Sequence, residues 1–437
     1  MFPEYSPLPC AKADIVFHKL EQNWKAAMAT IISDQSYKGI DDVDVAGKRV
    51  IVRADLNVPL AGGRVSDATR IERLLPTLNA LSSRGAKVII LSHLGRPDGR
   101  RDTKYSLRPV ADTLGTMMSG KSVSFVDEST GPVAHSAVAA LKSGDILVLE
   151  NLRFHPGEEA NDPGLVAELA GLGDIFVNDA FSVSHRAHAS VFGIAHALPA
   201  FAGPQMLAEL EAFKLVLELP KRPVAAIVGG AKVSTKIPLL TNLAPKVDML
   251  IIGGGMANTF LHAQGYSVGK SLCEPRFAET VEEIMSRAAE TGCRIVLPTD
   301  AVVAKEFAPN APHSVYSIGS IPEDGMILDI GPKSVADFSE RIKGAKTLLW
   351  NGPVGAFETP PFGTGTFELA KIAAGRTKSG DLVSVAGGGD TVAALNSAGV
   401  TENFTYVSTA GGAFLEWLEG RELPGVIALA QIRAAAQ

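Results

Sequence analysis

LVSVAGGGDTVAALNSAG, residues Leu382–Gly399, carries an apolar, β-branched run into three glycines and an aspartate, then opens at once into a helix-like pattern. Glycines let a phosphate chain approach the backbone, a helix start offers unpaired N–H groups, and Asp390 can hold the magnesium that accompanies a nucleotide. The same letters also fit a tight strand-to-helix turn with an Asp near the helix N-terminus. The pattern around the segment has to discriminate between the two.

Working outward, short β-branched runs alternate with longer Ala/Leu-rich stretches from residue 48 onward, the rhythm of an α/β protein. The segment belongs to a series of expected strands: Pro223–Gly230, Met249–Met256, Arg294–Asp300, Thr347–Pro353, Leu382–Asp390 and Phe404–Gly412. An earlier series reads Arg49–Leu56, Lys87–Leu94, Ser122–Asp127, Asp145–Leu152 and Asp174–Phe181. Their near-continuous apolar character predicts parallel strands buried on both faces. Between the series, MLAELEAFKLVLELPKRP (Met206–Pro223) has helical apolar spacing and helix-breaking prolines at both edges, and reads as one linking helix. Two doubly wound lobes joined by a helix is the economical architecture.

At 437 residues the chain is too long for one ordinary core, and 46% hydrophobic residues give it plenty to bury. A formal net charge of −6 argues against nucleic-acid binding. Three cysteines, Cys10, Cys273 and Cys293, suggest neither a disulfide framework nor a zinc site, and fit a reducing cytosol. No apolar run approaches the roughly 20 residues needed to cross a bilayer, so no membrane association is expected. Residues 1–39 read as an N-terminal extension, loosely held, with Met28 an alternative start. An intact mass beginning at Met1 rejects that start-site reading.

In open parallel sheets ligands bind beyond the carboxyl ends of the strands, and polar residues collect there in both series. The first carries Asp55, Asn57, His93, Arg96, Arg153, His185, Arg186 and His188; the second carries glycine clusters, Asn351, Asp390 and Ser408. Arg70 follows the expected hairpin AGGRVSDATRI. Guanidinium groups hold carboxylates and phosphates through paired hydrogen bonds, so the first lobe looks made for a small multiply anionic compound. Asp55 and Asn57, two apart, suit neutral hydroxyl recognition, or simply close a strand in a turn. In GGAKVSTKIPLL, Lys232 and Lys236 are four apart and would share one side of a starting helix, around an anion or splayed into solvent.

Four motif readings fail. HRAH (His185–His188) lacks a third ligand at metal spacing. GYSVGKS (Gly265–Ser271) imitates a phosphate-binding P-loop but is one residue short and follows a helix-like stretch. No GxGxxG follows a strand and no HRDxxxxN loop occurs, which weakens dehydrogenase and protein-kinase-fold readings. A two-lobed, non-catalytic binding protein is a third alternative, for which paired magnesium and lysine features would be unnecessary.

Taken in order, VRADLNVP, SHLGRPDGRRDTKYSL, LENLRF, NDAFSVSHRAHAS, GGAKVSTKI, GGGMANTF, LDIGPKS, WNGPVGAFE, GGGDT and VSTAGGAFLEWLEGRELPGV resemble the phosphoglycerate kinases, from about Ile40 to about Ala430. The resemblance implies two Rossmann-like lobes: a triose-substrate lobe over 40–203, a linking helix over 204–220, a nucleotide lobe over 221–417, and a segment 418–437 returning to the first lobe. It implies substrate contacts on Asp55, Asn57, Arg70, His93, Leu94, Gly95, Arg96, Arg153 and Arg186. Nucleotide contacts fall on Lys236, Asn351, Glu358, Gly388, Gly389, Asp390 and Thr391, with Glu358 on the ribose and Asp390 on Mg2+ beside ATP or ADP. Arg70 and Lys232 are assigned to the transition-state charge. The implied reaction passes a phosphoryl group between 1,3-bisphosphoglycerate and MgADP, giving 3-phosphoglycerate and MgATP, in glycolysis, gluconeogenesis or carbon fixation, by a cytoplasmic monomer whose lobes close on a hinge. Two departures stand out: Ser182, Val183 and Ser184 replace a common Gly-Thr-Ala, and Ala410 replaces a glycine. Such changes are tolerable where the local φ is negative.

Overall fold

The computed structural model describes residues 37–435. The expectations for the N-terminal extension and Met28 lie outside the described residues, apart from the last few positions before Ile40.

In chain order the strands are β1 (Arg49–Arg53), the hairpin β2 (Leu60–Ala61) and β3 (Arg64–Val65), β4 (Lys87–Leu91), β5 (Val123–Val126), β6 (Ile146–Leu149), β7 (Ile175–Asn178) and β8 (Ala200–Ala202). The second half has β9 (Val224–Val228), β10 (Met249–Ile252), β11 (Arg294–Val296), β12 (Asp300–Ala304), β13 (His313–Ser317), β14 (Met326–Ile330), β15 (Thr347–Asn351), β16 (Val383–Gly387) and β17 (Tyr406–Ser408).

Two six-stranded parallel sheets form among the described residues, ordered β5-β6-β4-β1-β7-β8 and β11-β10-β9-β15-β16-β17. The second reproduces the 3-2-1-4-5-6 order of dinucleotide-binding folds; in the first the fourth strand, β6, is instead inserted between the second and third, β4 and β5. Both sheets reverse winding direction beside their first strand, between β1 and β7 and between β9 and β15. A crevice opens at such a reversal because the flanking loops depart to opposite faces. Central strands such as Ile146–Leu149 and Val224–Val228 are buried throughout, as their unbroken apolar character requires.

The expected strands ran too far at their carboxyl ends: β1 stops at Arg53 and β16 at Gly387, and the polar residues beyond them are loop or helix start. Arg294–Asp300 divides into β11 and the first residue of β12, because Pro298 falls between them. Two features had no counterpart in the sequence reading. One is β8, three residues long; the other is the antiparallel sheet β13-β12-β14 beside the second lobe.

The linking helix begins at Pro204, where the family resemblance set it and two residues before the Met206–Pro223 spacing pattern, and its α-helical part ends at Phe213, where a π turn takes over across Lys214–Glu218. Its start is set by Pro204 in the first turn and by the Asp179 carboxylate, which accepts from the Gln205 and Met206 N–H groups at 2.8 and 3.2 Å. Phe213 stacks on Trp417 at 4.0 Å between ring centroids, with Phe181 and Phe414 packed around them. One buried cluster therefore runs continuously from Ile51 and Leu147 of the first sheet through the linking helix to Val224 and Leu250 of the second. The final helix Pro424–Ala435 packs on the first-lobe segment Ala189–Ala197 and on β8, and the Gly425 N–H donates to the Ser184 carbonyl.

Candidate active site

Beyond β9 and β15, the chain passes through Gly229 and Gly352 in backbone contact: a Cβ on Gly229 would lie 2.0 Å from the Pro353 carbonyl oxygen. Only glycines permit that approach. Immediately beside it, Gly388 (φ +100°) caps the helix Gly389–Ser397. Asn351, 2% exposed, donates from Nδ2 to the Gly387 carbonyl at 2.7 Å and accepts from Lys236 Nζ through Oδ1. Thr391 is buried and ties the turn together, donating to the Gly387 carbonyl and accepting from the Gly352 N–H at 2.7 Å.

These residues line a cavity of about 290 Å³ together with Lys232, Gly389 and Asp390. Burial lowers the Lys236 pKa, and Asp390 partly restores it. Lys232 and Lys236 both reach this cavity, but not from one helix face. Lys232 is extended, Val233–Thr235 forms a 3-10 turn, and the α-helix starts at Ile237 with Pro238 in its first turn. A larger cavity of about 480 Å³ adjoins it, sharing Gly230, Ala231 and Asp390. Its wall is mostly apolar, with Leu261, Leu272, Phe307, Met326 and Val354, and Glu358 lines it as well. The sequence reading missed this apolar cavity, since its lining comes from many separated segments; the only signal was the glycine run Gly253–Gly255.

The loops beyond the first sheet gather the other group. Arg70 Nη1 donates to Asp55 Oδ1 at 2.8 Å and to the Asn57 carbonyl. Asn57 Oδ1 accepts from the Gly95 N–H at 2.9 Å, and Arg153 Nη1 donates to the Gly95 carbonyl at 2.7 Å. Arg153 is 7% exposed, paired with Glu159, and its pKa is lowered by burial. Arg186 Nε donates to His185 Nε2 at 3.0 Å, whereas the exposed Arg96 makes no hydrogen bond or ion pair with any described residue. His93 is buried and held neutral, its pKa driven well below the usual value by burial and by Arg53, Arg153, Arg70 and His188. Leu94 differs from its neighbours: its side chain is core and its carbonyl accepts from Asn151, which leaves only its N–H for a ligand.

Ser182 and Ala410 both keep ordinary φ, since the described non-glycine residues with positive φ are Asp98, Asn161 and Asn310. Ser182 adds a bond that glycine would lack, from Oγ to Asp55 Oδ2 at 2.6 Å. Reasoning from motifs also passed over Arg53, Glu158 and Ser190, buried polar residues directly behind His93.

The first half of the chain touches the last glycine turn of the second. A Cβ on Gly412, which follows the last glycine turn, would lie 3.8 Å from His185 Nε2, and Arg73 of the first lobe donates to Thr409 Oγ1 at 2.9 Å. Arginines gathered on the loops beyond one parallel sheet and a glycine-lined cavity with two lysines beyond the other fit a two-lobed phosphotransferase of the α/β class. The family model described as Phosphoglycerate kinase matches residues 40–421. A phosphoglycerate kinase of Methylobacterium radiotolerans is 60% identical over 395 residues, spanning 90% of this chain and 98% of the relative. One of Rhodopseudomonas palustris is 60% identical over 392 residues, with the same coverage. Among solved structures, phosphoglycerate kinase from Coxiella burnetii superposes with a TM-score of 0.85 at 42% identity, covering 91% of this chain and 99% of that one. The chain belongs to the phosphoglycerate kinase family, and is a phosphate-transferring enzyme.

Proposed function

We propose that this chain transfers a phosphoryl group reversibly between 1,3-bisphosphoglycerate and MgADP, giving 3-phosphoglycerate and MgATP, with each substrate on its own lobe. The observation carrying the proposal is the gathering of Arg70, Arg153 and Arg186 on the loops beyond one sheet's strands, alongside Lys236, Asn351 and Gly388 beyond the other's.

In the direction of ATP use, the attacking group is a substrate carboxylate. With a reference pKa near 4 it is already ionised at neutral pH, so no general base is needed. The demand is alignment and neutralisation of charge on three phosphoryl oxygens. Arg70 and Lys232 supply that charge, Arg96, Arg153 and Arg186 hold the triose anion, and Asp55, Asn57, His93 and the Leu94–Gly95 backbone orient it. Lys236, Asn351, Thr391 and the Gly388–Gly389 turn hold the polyphosphate, and Glu358 the ribose.

Asp390 is exposed, faces the phosphate cavity, and has no hydrogen bond or ion pair among the described residues. A lone carboxylate suits magnesium, which keeps several waters and takes its remaining ligands from phosphates. The chemistry supplied there is neutralisation of phosphate charge.

Closure about the linking helix excludes water from the transferred group. The working form is a cytoplasmic monomer. Among the described residues no helix is long and apolar enough to cross a membrane. A coupled assay with 3-phosphoglycerate and MgATP tests the reading, and MgATP binding without turnover refutes it. Scattering with both ligands bound should give a smaller radius, and an unchanged one removes closure from the account.

A further inference from the structure

Arg53, the last residue of β1, is 1% exposed and lies behind the triose pocket instead of in it. Its Nε donates to Ser190 Oγ at 2.9 Å, its Nη1 to the Ala54 carbonyl at 2.6 Å, and its Nη2 lies 3.2 Å from His93 Nδ1. Ser190 in turn donates from Oγ to Glu158 Oε1 at 2.6 Å and from its N–H to Oε2 at 3.0 Å. Glu158, Ser190 and Arg53 are all buried.

The polarity of this chain is dictated by donor and acceptor chemistry. A guanidinium has five N–H donors and no acceptor, so His93 Nδ1 must accept and its hydrogen must sit on Nε2. Ser190 has one hydroxyl hydrogen; Glu158 takes it, and the lone pairs then receive Arg53 Nε–H. Among the described residues nothing accepts from His93 Nε2–H. We infer that the Glu158–Ser190–Arg53 chain is a positioning device: it locks His93 in the neutral Nε2–H tautomer, making the imidazole a fixed uncharged donor to the triose substrate. The inference rests on the reading of His93 as a substrate contact.

The surroundings agree with it. The charged and titratable groups that act on His93 are Arg53, Arg153, Arg70 and His188, all of which oppose a second positive charge there. His188 is itself pushed down to about 3, by burial first and then by Arg53 and Arg153. Arg53 is lowered only to about 10 and stays charged, with Glu158 compensating it. The anion's charge is therefore met by arginines alone, and substrate affinity does not follow the titration an ordinary histidine shows near neutrality.

The ring nitrogens of His93 in the full-length, ligand-free protein, observed by 15N NMR and assigned through His93→Gln, give the direct test. The expected spectrum has a protonated Nε2 and a bare Nδ1, unchanged between about pH 5 and 8. A hydrogen on Nδ1, or titration within that range, overturns the inference. Ser190→Ala, which cuts the link between Glu158 and Arg53, should raise KM for 3-phosphoglycerate about tenfold, as loss of one buried hydrogen bond would. KM for ATP and kcat should stay within about twofold, and an unchanged triose KM in the folded variant counts against the device. If that variant does not fold, the wild-type spectrum still decides. His93→Gln, whose amide can place a donor near the Nε2 position, should outperform His93→Asn. Unchanged triose KM in His93→Ala would instead defeat the substrate-contact reading, leaving the tautomer as measured.

Discussion

Replacing single glycines around the phosphate turn separates backbone strain from steric contact. Gly388 has φ +100° and ψ 140°, a region almost closed to other residues, and a Cβ there would stand 2.8 Å from Asn351 Nδ2. The conformation alone costs about 1–3 kcal/mol for alanine. Displacing Asn351 also breaks its 2.7 Å bond to the Gly387 carbonyl and leaves buried polar atoms unpaired, a further ~1–3 kcal/mol. Gly388→Ala should therefore lose about 2–6 kcal/mol, the sum of those two costs. Gly411→Ala has a positive φ of 56° but nothing within 4 Å of the added methyl, so it should bear the conformational cost only. Gly389→Ala has an ordinary φ and open space, and should leave stability nearly unchanged. Urea unfolding of the three variants, each also assayed for the KM of MgATP and of 3-phosphoglycerate, measures the series. Gly388→Ala should raise the nucleotide KM, because Asn351 holds Lys236, and spare the triose KM. Equal stability of Gly388→Ala and Gly389→Ala would refute the argument.

Arg70→Ala should lower kcat by about 10²- to 10³-fold, the usual loss for one transition-state contact, and near-normal turnover would remove Arg70 from the chemistry. Glu209 of the linking helix, buried against Ser408 and Tyr406 and acted on by Arg73, has its pKa raised by burial from 4.5 to about 7. Folding thus favours its protonated form, so its contribution is fully present below pH 4.5 and is lost as pH rises through about 7. Glu209→Gln should flatten that fall in stability, on the order of 3 kcal/mol, in urea titrations across the range. Phe213→Ala removes the ring stacked on Trp417 and should cost about 3–5 kcal/mol, read by the same unfolding assay. Ser182→Ala, which deletes the bond to Asp55, should cost about 1 kcal/mol, since Arg70 still holds that carboxylate; a larger loss would mean that Ser182 and Arg70 act as a unit.

Local patterns reported their own contents faithfully where one segment sufficed. Runs such as Val224–Val228 are buried on both faces, and each appears as a parallel strand. Glycine followed by a helix start, at Gly388–Asp390, is likewise a single-segment signal. The antiparallel sheet β13-β12-β14 escaped because β13 is largely exposed and lacks a clean apolar alternation. The linking helix was legible as a helix from its spacing, but its first residue depends on Asp179, twenty-five positions before Pro204 and just past the end of β7. For the lysine pair, spacing alone suggested one helix face; Pro238 and the 3-10 turn at Val233–Thr235 assign them to different local structures.

What the chain of residues determined by itself was chemistry at strand ends: arginines and His93 in the first half, glycines with Lys236, Asn351 and Asp390 in the second. Side-chain type and short-range periodicity are properties of neighbours in sequence, so they can be read there. Tertiary structure alone decided which groups face one another. It set Arg53 against His93 across forty positions, Ser182 against Asp55 across 127, and Ser408 against Glu209 across 199. Such pairings arise from the crossing of strands and from burial, which removes water as the competing partner and makes each hydrogen bond directional and obligatory.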